Sequence, residues 1–280
     1  MTQIGAIPVE KISSKDNPLL KQIRLLQAVG SKGQKHRLAN AQAVIEGVHL
    51  LQTWVGDASL TTLLTSAAGL VNTEVGKAIE RHLVLCPQTR LVELDEALWP
   101  SISELANAPH FLGLIQLPDS IMKPITQELM INGDVVVLEG IQDAGNVGSI
   151  LRTAAATGIK TVIALSGCAH LWSSKVLRAA MGAHQQLTLY EDWTPLELMT
   201  HINAPLLITA AQGKTDLYAL QAQLKNAVAW VFGNEGNGVS AALRCQGQVV
   251  SIPLNHRVES LNVATAAAVC LFETVRVRSG

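Results

Sequence analysis

Five short apolar runs in the second half of the chain constrain its fold more than any other feature: VVVLE at 135–139, TVIAL at 161–165, LLITA at 206–210, AVAWVF at 227–232 and VVSIP at 249–253. Strands with no polar alternate face must be covered on both sides. That is the condition of a parallel sheet wrapped by helices, and the stretches between these runs carry helical spacing or turn residues. An α/β architecture follows, in which ligands sit beyond the carboxyl ends of the strands.

The first half alternates less regularly. ISSKDNPLLKQIRLLQ offers Ser13, Ser14, Asp16 and Asn17 as caps and Pro18 as a first helical residue. Leu19, Ile23 and Leu26 then share one helix face, with Lys21 and Arg24 on the exposed part. AQAVIEGVHLLQTWV predicts a strand through Val44 and Ile45, a turn at Gly47 and a helix carrying Leu50, Leu51 and Trp54. TTLLTS and HLVLC read as strands flanking a helical NTEVGKAIER, and LVELDEALWPSI and FLGLIQLP continue the alternation to about Leu117. PDSIMKPITQELMING has two prolines and no sustained period. The expected division is a smaller α/β domain over 1–117, a linker over 118–131 and a larger parallel-sheet domain over 132–280.

Composition narrows the class. At 280 residues, 48% hydrophobic and 15% charged, the chain can bury sizeable cores and is not a disordered polymer. No apolar run reaches bilayer length and MTQIGAIPVEK has no signal-peptide core, so a cytoplasmic protein without membrane contact is expected. Cys86, Cys168, Cys245 and Cys270 form no CxxC pair and no histidine stands at zinc spacing, which predicts buried free thiols and no metal. The net charge of −1 argues against a general polyanion binder, but the charges are unevenly placed. Between residues 10 and 37, Lys11, Lys15, Lys21, Arg24, Lys32, Lys35 and Arg37 oppose only Glu10 and Asp16; from 38 to 117, eight acids oppose Lys77, Arg81 and Arg90. Such a basic patch serves a phosphate backbone or is a solvated helix face, and charge alone does not choose.

Three segments carry candidate chemistry. LEGIQDAGNVGSILRTAAATG places Asn146, Gly148 and Arg152 where a strand turns into a helix. It is not G-x-G-x-x-G, and no G-K-[ST] occurs, which disfavours dinucleotide oxidoreductases and NTPases. On local grounds Asn146 is a helix N-cap and Arg152 a surface residue. VFGNEGNGVS sets Glu235 among glycines, either in a plain turn or in a wall where backbone approaches a ligand. SIPLNHRVESLNVATAAAVCLFE begins as a strand ending at Pro253 and turns into a helix at Ser260, whose hydroxyl is placed to cap it. Ala264, Ala266, Ala267 and Ala268 permit close approach, in a protein interface or a tight core.

In order and spacing these segments resemble the three motifs of the SpoU (TrmH-like) class of the SPOUT superfamily, RNA 2′-O-ribose methyltransferases that use S-adenosylmethionine. The resemblance implies a trefoil-knotted parallel α/β catalytic domain, a homodimer and no metal. Carried over by motif position, Asn146, Arg152, Glu235, Ser260 and Asn262 are catalytic, and backbone at Gly233, Ile252 and Leu261 holds the methyl donor. In the family this arginine is central and sometimes the general base, a role a guanidinium serves only where the site strongly perturbs it, so a clamp on phosphate and developing alkoxide is the favoured role for Arg152. Glu235 then either orients Arg152 or accepts the proton. LWSSKVLRAAMGAH resembles the substrate-facing segment and brings in Ser174, Lys175 and Arg178 as RNA contacts, against the ordinary reading of a capped, solvated helix. Trp172 and His184 are read as core. The N-terminal block resembles an L30e-type RNA-binding domain through ISSKDNPLLKQIRLLQ, Lys35-His36-Arg37 and Glu46-Gly47, with Ala41 and Ala43 where members carry a glycine and an aromatic. It adds Lys21, Arg24, Lys35 and Arg37 to the RNA contacts. The expectation is a cytoplasmic homodimeric enzyme acting on rRNA in preference to tRNA. Its rival is a non-catalytic RNA-binding protein of the same fold, against which the presence of all five catalytic residues counts.

Overall fold

The structure, a computed structural model, describes residues 8–106, 110–122 and 126–279. They fall into two compact units, one within Met1–Met122 plus Trp172–Gly182 and one within Lys123–Leu171 plus Ala183–Gly280.

The first unit runs β1 (Val9–Ile12), α1 (Pro18–Gln27), α2 (Gly30–Asn40), β2 (Gln42–Glu46), α3 (Val48–Trp54), β3 (Leu60–Thr65), α4 (Ala67–Val71), α5 (Thr73–Leu85), β4 (Arg90–Leu94), β5 (Phe111–Gln116) and α6 (Asp119–Met122). Its sheet has the order β1-β4-β3-β5-β2, with β5 antiparallel to β2 and β3 and the other pairs parallel. Helix α1 forms where its caps and spacing require. Asn17 Oδ1 accepts from Leu19 N at 2.8 Å, and Pro18 sits at the first position, where a missing N–H costs nothing. Leu19, Leu20, Ile23 and Leu26 are buried against Val44, Leu64, Val92, Leu112 and Trp99. Each such side chain contributes roughly 1.5–3 kcal/mol.

HLVLC is not a strand. Helix α5 runs through it, because Val75, Ala78, Ile79, His82 and Leu83 bury at helical three-and-four spacing. Val84 and Leu85, which lend the run its apolar look, are 75% and 56% exposed. The strand comes later, at β4, and pairs with the unforeseen β1 at the sheet edge.

The second unit runs β6 (Val135–Glu139), α7 (Ala144–Ala156) and β7 (Thr161–Leu165); the chain then passes through α8 (Ser174–Ala180), which belongs to the first unit. It continues as β8 (Thr188–Trp193), α9 (Pro195–His201), β9 (Leu206–Thr209), β10 (Thr215–Asp216), α10 (Gln221–Leu224), β11 (Ala229–Gly233), α11 (Ala241–Arg244), β12 (Gln248–Ser251) and α12 (Val263–Ser279). The seven strands, ordered β10-β12-β9-β11-β6-β7-β8, are all parallel. The five apolar runs are β6, β7, β9, β11 and β12. Edge strand β8 escaped notice because an edge tolerates the Glu191 and Asp192 in TLYEDW.

Helix α12 packs on α7 and β11. Trp230 Nε1 donates to Thr274 Oγ1 at 3.1 Å, and the Arg278 guanidinium grips the Asp134 carboxylate and the carbonyls of Leu224 and Asn226. From β6 the chain steps outward to β7 and β8, and the later strands fill the other side. The reversal lies between β6 and β11, so a crevice opens between the loops that follow them, as expected of an open parallel sheet.

Candidate active site

Helix α7 is capped by Asp143, whose Oδ1 accepts from Asn146 N at 2.7 Å. The Asn146 side chain is therefore free of capping duty, unlike its local sequence reading. Its Nδ2 donates to Glu235 Oε1 at 2.7 Å, and its Oδ1 accepts from Asn262 Nδ2 at 2.9 Å. Asn262 Oδ1 in turn accepts from Ala264 N at 3.0 Å and Thr265 N at 3.2 Å. Asn262, not Ser260, caps α12, because the chain turns helical only at Val263. The polarity of this relay is fixed from one end. Backbone N–H groups can only donate, so the Asn262 oxygen must face them and its amide must face Asn146. That turns the Asn146 amide onto Glu235. The three sequence segments thus converge on one carboxylate.

The loop after β11 is held by its own polar groups. Asn234 Oδ1 accepts from Gly236 N and Asn237 N, its Nδ2 donates to Gly140 O at 2.9 Å, and Gly238 takes φ 66°. Glu139 Oε2 accepts from Ser240 N at 2.7 Å. A Cβ on Gly233 would lie 2.3 Å from Gly238 C and Val239 N. Glycine is needed there so that the loop can close on itself, which is the plain-turn alternative of the sequence reading.

The loop after β11 walls a cavity of about 450 Å³ together with residues 209–211 at the end of β9 and with Ile252, Leu254, Glu259, Ser260 and Leu261 after β12. Gly233, Ile252 and Leu261 all line it, as do Glu235 and Ser260. Arg244, at the end of α11, and Glu259 line it too and were missed, since nothing in AALRCQG or HRVES distinguishes either from a surface charge. Aliphatic walls, glycine backbone and a few charges suit a nucleoside that carries charged groups. Arg152 does not join the cluster. It is exposed and makes no hydrogen bond or ion pair among the described residues, so Glu235 does not orient Arg152 here and pairs with Asn146 instead.

The expected RNA contacts separate into two groups. Lys21, Lys35 and Lys175 are exposed, Lys21 within 3.8 Å of Asp16. Arg24 donates to Ser101 O and Oγ. Arg37 is 3% exposed, and its Nη1 donates at 2.6 Å to Leu26 O, satisfying a carbonyl at the end of α1; it faces inward and is no surface contact. Ser174 is buried behind the N-cap Ser173 and is likewise withdrawn. Arg178 pairs with Glu104 at 2.7 Å and with buried Glu46 at 3.4 Å, and Glu46 also accepts from Ser103 Oγ and the N–H groups of Glu104 and Leu105. Cys86 and Cys270 are buried and Cys168 partly so, but Cys245 is exposed, against the expectation for all four. Burial pushes the Cys270 thiol up to about 12 and Cys168 up to about 11. Among the described residues no group of three His, Cys, Asp or Glu side chains is disposed to hold a metal ion, and no helix is long and apolar enough to cross a membrane.

The SpoU rRNA Methylase family matches residues 134–272. A tRNA/rRNA methyltransferase of Synechocystis, itself uncharacterized, is 31% identical over 286 residues, covering 96% of this chain and 94% of that protein. The chain belongs to the SpoU methylase family. As a SpoU methylase it is an RNA methyltransferase whose methyl donor is S-adenosylmethionine. The 23S rRNA (guanosine-2′-O-)-methyltransferase RlmB of Shewanella oneidensis is 34% identical over 146 residues, 51% of this chain and 59% of that protein. A solved structure from Porphyromonas gingivalis, described as a putative RNA methyltransferase of the TrmH family, is 26% identical, covers 92% of this chain and 96% of its own, and superposes with a TM-score of 0.70. Fold likeness therefore extends over both units.

Proposed function

We propose that this SpoU methylase transfers a methyl group to a ribose 2′-hydroxyl of a structured RNA, ribosomal rather than transfer RNA, and that it works as a homodimer without metal in the cytoplasm. The observation that carries the reading is the one-way relay from the start of α12 through Asn262 and Asn146 to Glu235 at the lip of the cavity. When bound, S-adenosylmethionine supplies a methyl group on a sulfonium, already a good leaving group. What remains for the chain is to orient the hydroxyl and take its proton. Asn146 occupies Glu235 Oε1, which leaves Oε2 as acceptor for that proton. Arg152, a forked cationic donor, grips the adjacent phosphate and steadies the developing alkoxide. Ser260 lines the cavity beside Leu261 and positions the ribose. The walls at Gly233, Ile252 and Leu261 hold the donor's adenosine through main-chain groups.

The ribosomal preference rests on the likeness of about half of the chain to a protein named as a 23S rRNA enzyme. RNA selection is assigned to the first unit, where Lys15, Lys21, Lys32 and Lys35 are exposed. Transfer of labelled methyl from S-adenosylmethionine to rRNA and tRNA transcripts, with ribose methylation mapped, tests the reading. Asn146→Ala should lower turnover about 100-fold by releasing Glu235. Methyl groups found on bases, or none transferred to any RNA, would sink it.

A further inference from the structure

Three charged side chains line the cavity: Glu235, Arg244 and Glu259. Glu235 is accounted for by Asn146. The side chains of Arg244 and Glu259 make no hydrogen bond or ion pair among the described residues, although they carry opposite charge in one cavity. Arg244 is drawn over the loop backbone at Gly238, where a Cβ would stand 2.8 Å from its Nη2. Glycine at 238 therefore serves the turn, at φ 66°, and also makes room for the guanidinium.

We infer that Arg244 and Glu259 bind the amino-acid end of the methyl donor, Arg244 its carboxylate and Glu259 its α-ammonium. The assignment rests on the reading of this cavity as the donor site. Its warrant is charge complementarity. The donor carries two positive centres, sulfonium and ammonium, and one carboxylate; the cavity carries two carboxylates and one guanidinium. A guanidinium fork matches a carboxylate with two parallel hydrogen bonds, and among the described residues no other Lys or Arg lines the cavity to take that place. The aliphatic residues of the other wall, Ile252, Leu254 and Leu261, are left for the adenosine. Arg244 and Glu259 are thus specificity residues for the donor, with no part in proton transfer.

Calorimetry on the full-length protein with two ligands tests this. S-adenosylmethionine has the amino-acid tail, and 5′-methylthioadenosine keeps the adenosine and lacks it. Arg244→Gln should weaken S-adenosylmethionine about tenfold or more and leave 5′-methylthioadenosine unchanged; Glu259→Gln should show the same selectivity. Arg244→Lys, which keeps the charge and loses the fork, should recover part of the loss. Equal weakening of both ligands, or no change in either, overturns the assignment. So does an Arg244→Gln protein that binds S-adenosylmethionine normally and RNA poorly, since the guanidinium would then serve a phosphate. A wild-type protein that binds neither ligand would instead overturn the donor-site reading, and this assignment with it. Melting temperatures matching wild type exclude misfolding as the source of any loss.

Discussion

Asn262 does two things with one amide: its oxygen caps α12 and its nitrogen sets the orientation of Asn146. The two can be separated. Asn262→Asp keeps an oxygen for the cap, with its charge favourably placed at a helix start, but offers no donor to Asn146. The Asn146 amide would then turn to the new carboxylate and present its oxygen to Glu235. We expect Asn262→Asp to hold its melting temperature while turnover falls about 100-fold, and Asn262→Ala to lose about 1 kcal/mol of stability as well. Full turnover in the Asp variant would remove the relay from catalysis. A second residue governs the acid limb of stability. Burial pushes the His184 imidazole down to about 4, and its Nε2 donates to Leu171 O at 2.7 Å. The unfolded chain, titrating near 6.5, binds the proton first as pH falls, so stability is full above about 6.5 and declines toward 4. The loss from this group should be about 2 kcal/mol by pH 5. Urea midpoints at pH 7.5 and 5 should differ less in His184→Gln, and an unchanged difference would show that His184 is not the group responsible.

At the scale of elements, α8 has the least expected placement. Its sequence lies inside the methyltransferase half, but Trp172–Gly182 packs with the first unit, through Val176, Leu177 and the Arg178 pairs with Glu46 and Glu104. Cutting after the expected linker would strip this segment of its partners and expose apolar side chains worth roughly 1.5–3 kcal/mol each. Residues 132–280 alone should therefore melt below the full chain and bind a hydrophobic dye. A fragment that melts like the whole would show α8 to be dispensable to packing. Helix placement of this kind is invisible to a sequence read in order, because it depends on which surface a stretch meets. The five strands β6, β7, β9, β11 and β12 were legible for the opposite reason, since burial on both faces leaves a continuous apolar run. The site was legible through its three segments, and Gly233, Ile252 and Leu261 do line the cavity, but Arg244 and Glu259 were not, since each reads in the sequence as a surface charge. The cap of α12 was not, because Ser and Asn cap equally well and only the turn at Val263 chooses between them. Nor was the burial of Arg37, a cation in a basic run whose partner is a backbone carbonyl.

For the whole molecule, the outward side of α12 and the basic surface of the first unit each lead to a measurable consequence. Phe272, 53% exposed on α12 on the same side as Thr265, Ala268, Val269 and Arg276, marks the surface that we propose pairs two copies. Phe272→Glu should convert a dimer to a 29.9 kDa species in sedimentation, and a wild type already at that mass would defeat the proposal. RNA binding tests the first unit. With Arg37 turned inward and Arg24 engaged at Ser101, the exposed cations left to meet phosphate are lysines, chiefly Lys15, Lys32 and Lys35, with Lys21 beside Asp16 at 3.8 Å. Each phosphate neutralised releases counterions, so affinity should fall with salt by roughly 0.7–0.9 log units per contact for each tenfold increase. Replacing Lys32 and Lys35 together with alanine should lower that slope by about two such contacts and weaken RNA binding most at low salt. Replacing Arg37 should instead lower the melting temperature, through the buried carbonyl it leaves unsatisfied. Donor binding should be the same in the lysine variant and wild type. A salt slope unchanged by the double substitution would place the RNA elsewhere, and a slope that drops in Arg37→Ala at unchanged stability would bring that arginine back to the surface reading.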